Sequence, residues 1–228
     1  MLSGAEKRIV KNSAANLEVY IAGDGPPVMM LASLGRGAED FADLAAKLIA
    51  GGYQVIVPEP RGVGASTGAM AGLTLQDLAG DVIAIIDATT DAPLTLIGHA
   101  FGNRLARMTA ALRPDLVKRL ILLACGGLIE MPEESLKALI GCFDQTLSRD
   151  DHLACVKKAF FAQGNDPAVW QGGWWPEVSA SSRGPCAQPP RKTGGKPAAN
   201  LCWSSRPWKM QSRYPPTPTI SKSVCPVA

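Results

Sequence analysis

Leu94-Thr95-Leu96-Ile97-Gly98-His99-Ala100-Phe101-Gly102-Asn103-Arg104 is the stretch on which the fold turns. A short apolar run ends in Gly-x-Ala-x-Gly, and a helical pattern follows at once, with Leu105, Met108 and Leu112 on one side. A strand that feeds directly into a helix needs a sharp turn, and the flanking glycines supply the backbone freedom for it. The middle residue of such a turn is held with its side chain exposed for reaction. Here it is Ala100, and a methyl group is no nucleophile.

Outward from this turn, strand and helix periods alternate. Upstream, residues 8–10 and 17–23 predict a β-hairpin, because Leu17, Val19 and Ile21 alternate with polar or small residues. The continuous apolar runs 28–32 and 54–58 suit strands buried on both faces of a parallel sheet. Between them a helix places Phe41, Leu44, Leu48 and Ile49 on one face and stops at Gly51-Gly52. Thr74 reads as an N-cap with Asp77 three residues on, and Leu75, Leu78, Val82, Ile85 and Ile86 line the helix behind it. Downstream, residues 120–124 read as one more buried strand. Strands separated by helices of this length are βαβ units with right-handed crossovers. From 131 to about 162 the period is helical, with no strand intervening.

Length and charge bound the rest. A chain of 228 residues supports one α/β domain with a sizeable core. Residues 179–228 hold eight basic side chains, no acid and nine of the 18 prolines; the remaining 15 basic residues face 20 acids. The body is an acidic globular domain of net charge −5, and the tail predicts a disordered segment. Interspersed Pro and Ser dilute the tail's cations, so nucleic-acid binding is not expected. No apolar stretch suits a membrane span or a secretory signal, which predicts a soluble, cytoplasmic protein. Six cysteines, none in C-x-x-C spacing, and two histidines, His99 and His152, predict neither a disulfide framework nor a metal site. Cys125 reads as a buried thiol, both histidines as hydrogen-bonded structural residues. No cofactor is expected, the partner expected is a small-molecule ligand, and the oligomeric state stays open.

Three stretches together resemble the α/β-hydrolase superfamily: the loop after the 28–32 strand, the turn Glu59-Pro60-Arg61-Gly62-Val63-Gly64-Ala65-Ser66, and the 98–102 turn, which matches that family's nucleophile elbow. The middle turn is the most specific, although Glu59 stands where the family commonly has Asp. The resemblance covers residues 8–175. It implies a three-layer fold with a mostly parallel sheet: a core over 1–130, a partial helical cap over 131–178 and a tail over 179–228. It implies an oxyanion hole built from the backbone N–H of Phe101 and an N–H of Leu34 or Gly35, with His99, Phe143 and Trp170 as pocket candidates. The turn's Arg61 reads as locally paired, and Asn103 and Arg104 as capping or surface residues.

The catalytic triad does not carry over. Position 100 is Ala, and beyond Trp175 there is no Asp, Glu or His except Glu177. Ser33 and Ser66 are weak substitutes, since neither sits at an elbow beside a histidine. The strands that should follow the cap are not legible. The abrupt loss of acids and periodicity points to a shift of reading frame between about 175 and 185, the alternative being a native basic arm. Three functions stay open: hydrolysis of a small apolar ester-like substrate, ligand or partner binding without turnover, and a truncated or frame-shifted product with a bare sheet edge and poor solubility.

Overall fold

A computed structural model describes residues 4–125 and 131–181. The expected βαβ alternation is present. Strands β1 (Glu6–Lys11), β2 (Ala15–Ala22), β3 (Pro27–Leu31), β4 (Gln54–Pro58), β5 (Thr67–Gly68), β6 (Leu94–His99) and β7 (Val117–Leu123) form one sheet. Its order is β1-β2-β4-β3-β6-β7, with the two-residue β5 on β2. The first three strands pair antiparallel, and β4, β3, β6 and β7 run parallel.

Alternation along the strands decides which helix covers which face. Val28, Met30, Val55, Val57 and Ile97 point to one side, where α1 (Ala42–Ala50) and the 3-10 turn before it supply Phe41 and Ala45. Leu17, Val19, Ile21, Met29, Leu31, Ile56, Leu94 and Leu96 point to the other, under Val82, Ile85 and Ile86 of α2 (Leu75–Thr89) and Ala106 of α3 (Phe101–Leu112). Thr74 and Asp77 form the expected reciprocal capping box of α2.

The last strand departs from expectation. Residues 120–124 read as a buried strand, but Leu120, Ile121 and Leu122 of β7 are 38%, 42% and 38% exposed. Its register with β6 is continuous from Thr95↔Arg119 to His99↔Leu123. Among the described residues no further strand pairs its outer side, and only Val117 and Leu123 at its two ends pack into the clusters that α2, α3 and α1 cover. For the same reason Cys125, expected to be buried, is exposed.

The cap consists of α4 (Glu133–Gly141), α5 (Arg149–Phe160), a 3-10 turn at Pro167–Trp170 and α6 (Pro176–Ser181). Its own core is Cys142, Phe143 and Val156, with Leu34 from the sheet domain, Phe160, Phe161, Trp170 and Trp174 packed around them. No described helix is long and apolar enough to cross a membrane. The proposed tail and reading-frame shift concern residues that lie almost wholly outside the described ones.

Candidate functional site

The elbow is built as the glycine spacing demands. Ala100 has φ 49° and ψ −104°, between the end of β6 and the first residue of α3. A non-glycine residue in this conformation costs about 1–3 kcal/mol, so the surrounding structure must impose it. The imposition is visible on both flanks. A Cβ at Gly98 would meet the Gly102 carbonyl oxygen, and one at Gly102 would land on the Leu31 carbonyl oxygen. Strand and helix therefore approach as closely as glycine permits. The Ala100 N–H donates to the Leu123 carbonyl at 3.0 Å, and Asn103 Nδ2 donates to the same oxygen at 2.8 Å. Asn103 is fully buried rather than a capping or surface residue. Its side chain fastens the turn to β7.

The glycine-rich turn is structural. Arg61 reaches into α2, beyond its own turn, and pairs bidentately with Asp81, Nε–Oδ2 2.6 Å and Nη2–Oδ1 2.8 Å, with both side chains buried. Asn12 donates to the same carboxylate at 2.7 Å, which ties the β1–β2 turn into the network. Ser66 is buried, accepts the Glu18 N–H at 2.8 Å and donates to the Glu59 carbonyl at 2.9 Å. Ser33 is buried as well. The Ser66 hydroxyl is thus engaged on both sides, whereas Ser33 lines the small cavity that also touches Gly35 and Phe101. Glu59 accepts the Ala38 N–H at 2.9 Å and thereby anchors the loop after β3, while burial pushes its carboxyl above the usual range.

Gly35 and Phe101, the two expected anion-binding amides, line one small cavity of about 60 Å3, together with Leu31, Leu78, Val82, Leu105 and Val178. The other candidates, Leu34, His99, Phe143 and Trp170, do not line that cavity. Phe143 packs directly on Gly35, whose φ of 58° and lack of Cβ let the ring approach. Trp175 donates its N–H to the Gly35 carbonyl at 3.0 Å. Leu34 packs into the cap core. His99 meets Trp170 edge-on, with centroids 6.1 Å apart. Burial lowers its pKa, partly opposed by Asp40 and reinforced by Arg36. His152 is held to the Cys142 carbonyl oxygen at 3.1 Å and edge-on to Trp174, the structural role expected of it. Burial pushes the Cys142 thiol up to about 12.

Arg36 was not singled out from the sequence. It is 4% exposed and sits in the corner formed by two edge-to-face indoles, its guanidinium carbon 4.5 Å from the Trp170 centroid and 4.6 Å from that of Trp174. Asp40 holds its edge, with Nε–Oδ2 at 2.9 Å and a second bond from Nη2 to Oδ1. A buried cation–π contact is worth about 2 kcal/mol. The signal was available as the spacing Arg36-x3-Asp40 in one loop and Trp170-x3-Trp174 in the cap, but nothing local links the two.

Strand, strained turn, helix, small-residue loop and helical cap are together the active-site frame of an α/β hydrolase. A family model described as the alpha/beta hydrolase fold matches residues 26–143, and the chain belongs to that family. A Variovorax paradoxus protein provisionally named carbamate hydrolase RutD is 35% identical over 106 residues, 46% of this chain and 40% of the relative. The Bacillus subtilis AB hydrolase superfamily protein YfhM is 28% identical over 124 residues, 53% of this chain and 43% of the relative. The chain thus spans about two fifths of the length of these relatives. Among solved structures, a provisionally named epoxide hydrolase from Pseudomonas aeruginosa has a TM-score of 0.62 at 19% identity, covering 79% of this chain and 68% of that one. Potato epoxide hydrolase I has a TM-score of 0.52 at 25% identity, covering 62% and 50%.

Proposed function

We propose that this chain is a ligand-binding member of the α/β hydrolase family that takes a small, largely apolar ester-like molecule without covalent turnover. The observation that carries the reading is the elbow itself: Ala100 is held in the strained conformation that presents a nucleophile, with a methyl group in that place. The frame can still bind. The N–H of Phe101 and an N–H of Leu34 or Gly35 are the expected donors to a carbonyl oxygen, and backbone donors are unaffected by the loss of a nucleophile. His99, Phe143 and Trp170 would border the ligand from the cap side. The buried Ser66, hydrogen-bonded to Glu18 N–H and the Glu59 carbonyl, supports the absence of a substitute nucleophile at that position.

Titration calorimetry with phenyl acetate, paired with a product assay on the same sample, tests this. Binding with no phenol released is the expected result. Hydrolysis proportional to protein across independent preparations would overturn it, and would return the chain to the reaction class its relatives' names carry. The exposed β7 supports a second reading, a truncated or frame-shifted product. Resequencing codons 170–190 decides that one: another frame that continues with strands, an acid and a late histidine would favour it.

A further inference from the structure

Arg36 is the one buried cation in contact with both the loop after β3 and the cap among the contacts described. On the core side its partner is Asp40, four residues on, in the same loop and 3-10 turn. On the cap side its partners all fall within residues 170–174. Both indoles stack against its guanidinium, and Nη1 donates to the Gly172 carbonyl at 2.6 Å. Gly173, with φ 75°, lets this segment fold around the guanidinium, since a Cβ there would sit 3.2 Å from Nη1. Trp174 closes the turn by donating Nε1–H to the Trp170 carbonyl at 2.7 Å. Directly beside Arg36, Gly35 receives the Trp175 N–H and the Phe143 ring. The space above the Leu34–Gly35 peptide is therefore covered by the same segment that Arg36 grips.

We propose that Arg36 is a positioning residue: its guanidinium clamps residues 170–175 over the Leu34–Gly35 loop, and ligand reaches that loop only when the clamp opens. The location of the ligand rests on the function proposed above; the clamp does not. Guanidinium chemistry is essential to it. A guanidinium can sit in the corner made by two indoles set at 78° to each other while its N–H groups donate to Asp40 and to Gly172, whereas a lysine ammonium is a point charge that cannot do both. The clamp spans elements far apart in sequence, so it opens as a unit, and local opening of this kind is read by amide exchange.

Hydrogen exchange on the full chain, comparing native protein with Arg36→Lys and Arg36→Gln, is the test. Exchange of amides in residues 170–175 and 33–37 is expected to rise about tenfold or more in both variants, while β3, β4 and β6 stay protected as in the native chain. Because Arg36→Lys keeps the charge, a rise in that variant identifies stacking and fork geometry rather than the ion pair. Unchanged exchange at 170–175, or an equal rise in every strand, would overturn the clamp. Stopped-flow quenching of tryptophan emission by p-nitrophenyl acetate separates the two proposals. A faster approach in Arg36→Lys is expected. If the native chain and both variants fail to bind that probe, the function proposed above falls, and the exchange result alone decides the clamp.

Discussion

Strands β3 and β7 each carry a run of four large apolar residues, Val28–Leu31 and Leu120–Leu123, and have different surroundings. Val28 to Leu31 of β3 are at most 4% exposed, whereas Leu120 to Leu122 of β7 stand about two-fifths open to solvent. Both are parallel strands of one sheet, and both keep unbroken pairing with β6 over their middle residues. The difference is cover: β3 lies between two paired strands, with α1 on one face and α2 with α3 on the other. An apolar run encodes a demand for cover, and the rest of the chain has to meet it. Among the described residues that demand is met at β3 and not at the middle of β7.

The sharpest way to break that contrast is a matched pair of arginines. Arg61→Ala leaves Asp81 buried without its partner and is expected to cost about 3–5 kcal/mol in urea unfolding. Arg119→Ala, on exposed β7, is expected to cost less than about 0.5 kcal/mol. Leucines offer the next test. Leu96→Ala in β6 should lose about 2–5 kcal/mol by cavity formation, and Leu122→Ala less than about 1 kcal/mol. Equal losses at 96 and 122 would mean that β7 is covered in solution.

Smaller effects sharpen the picture around the elbow. Ala100→Gly removes the Cβ from a strained conformation and is expected to stabilise the fold by about 1 kcal/mol, read as a rise in Tm. Glu59→Gln tests the anchoring of the loop after β3. Burial raises the Glu59 pKa in the folded chain, so the native state binds the proton more tightly than the unfolded one. Its contribution to stability therefore falls as pH rises from the unfolded value, about 4.3, through the raised folded value. The Gln variant, which keeps an acceptor for the Ala38 N–H, should be the more stable protein at pH 7 and lose that advantage near pH 4. The smallest change in stability is expected from Ile121→Lys, within about 0.5 kcal/mol. A charge on a bare edge opposes strand-to-strand pairing, so this variant should stay monomeric at concentrations where the native chain associates, as light scattering would show.

Much of the fold was legible because its signals are local. Period-two alternation marked the N-terminal hairpin, continuous apolar runs marked the parallel strands, Thr74 and Asp77 marked a helix start, and Gly98 and Gly102 marked a turn whose glycines prove sterically obligatory. The elbow and its missing nucleophile needed only residues 94–104. What stayed hidden depends on contacts distant in sequence. Burial of β7 was inferred from its letters, but burial is a property of neighbours. Arg61 was expected to pair within its turn and instead meets Asp81, because α2 packs across that turn. The spacings Arg36-x3-Asp40 and Trp170-x3-Trp174 were legible one by one, but nothing local joins Arg36 to two tryptophans more than 130 positions away. Of the expected bordering residues, Trp170 lies against this cation, His99 meets Trp170 and Phe143 meets Trp174, and none of the three lines the cavity that Gly35 and Phe101 share.

The most direct measurement is intact-mass analysis of the native chain after exposure to a fluorophosphonate, with Ala100→Ser treated in parallel. An elbow that keeps its geometry around an inert methyl should give no adduct on the native chain. A stoichiometric adduct there, on any serine, would contradict the account, because it would place a working nucleophile where the structure holds only Ala100.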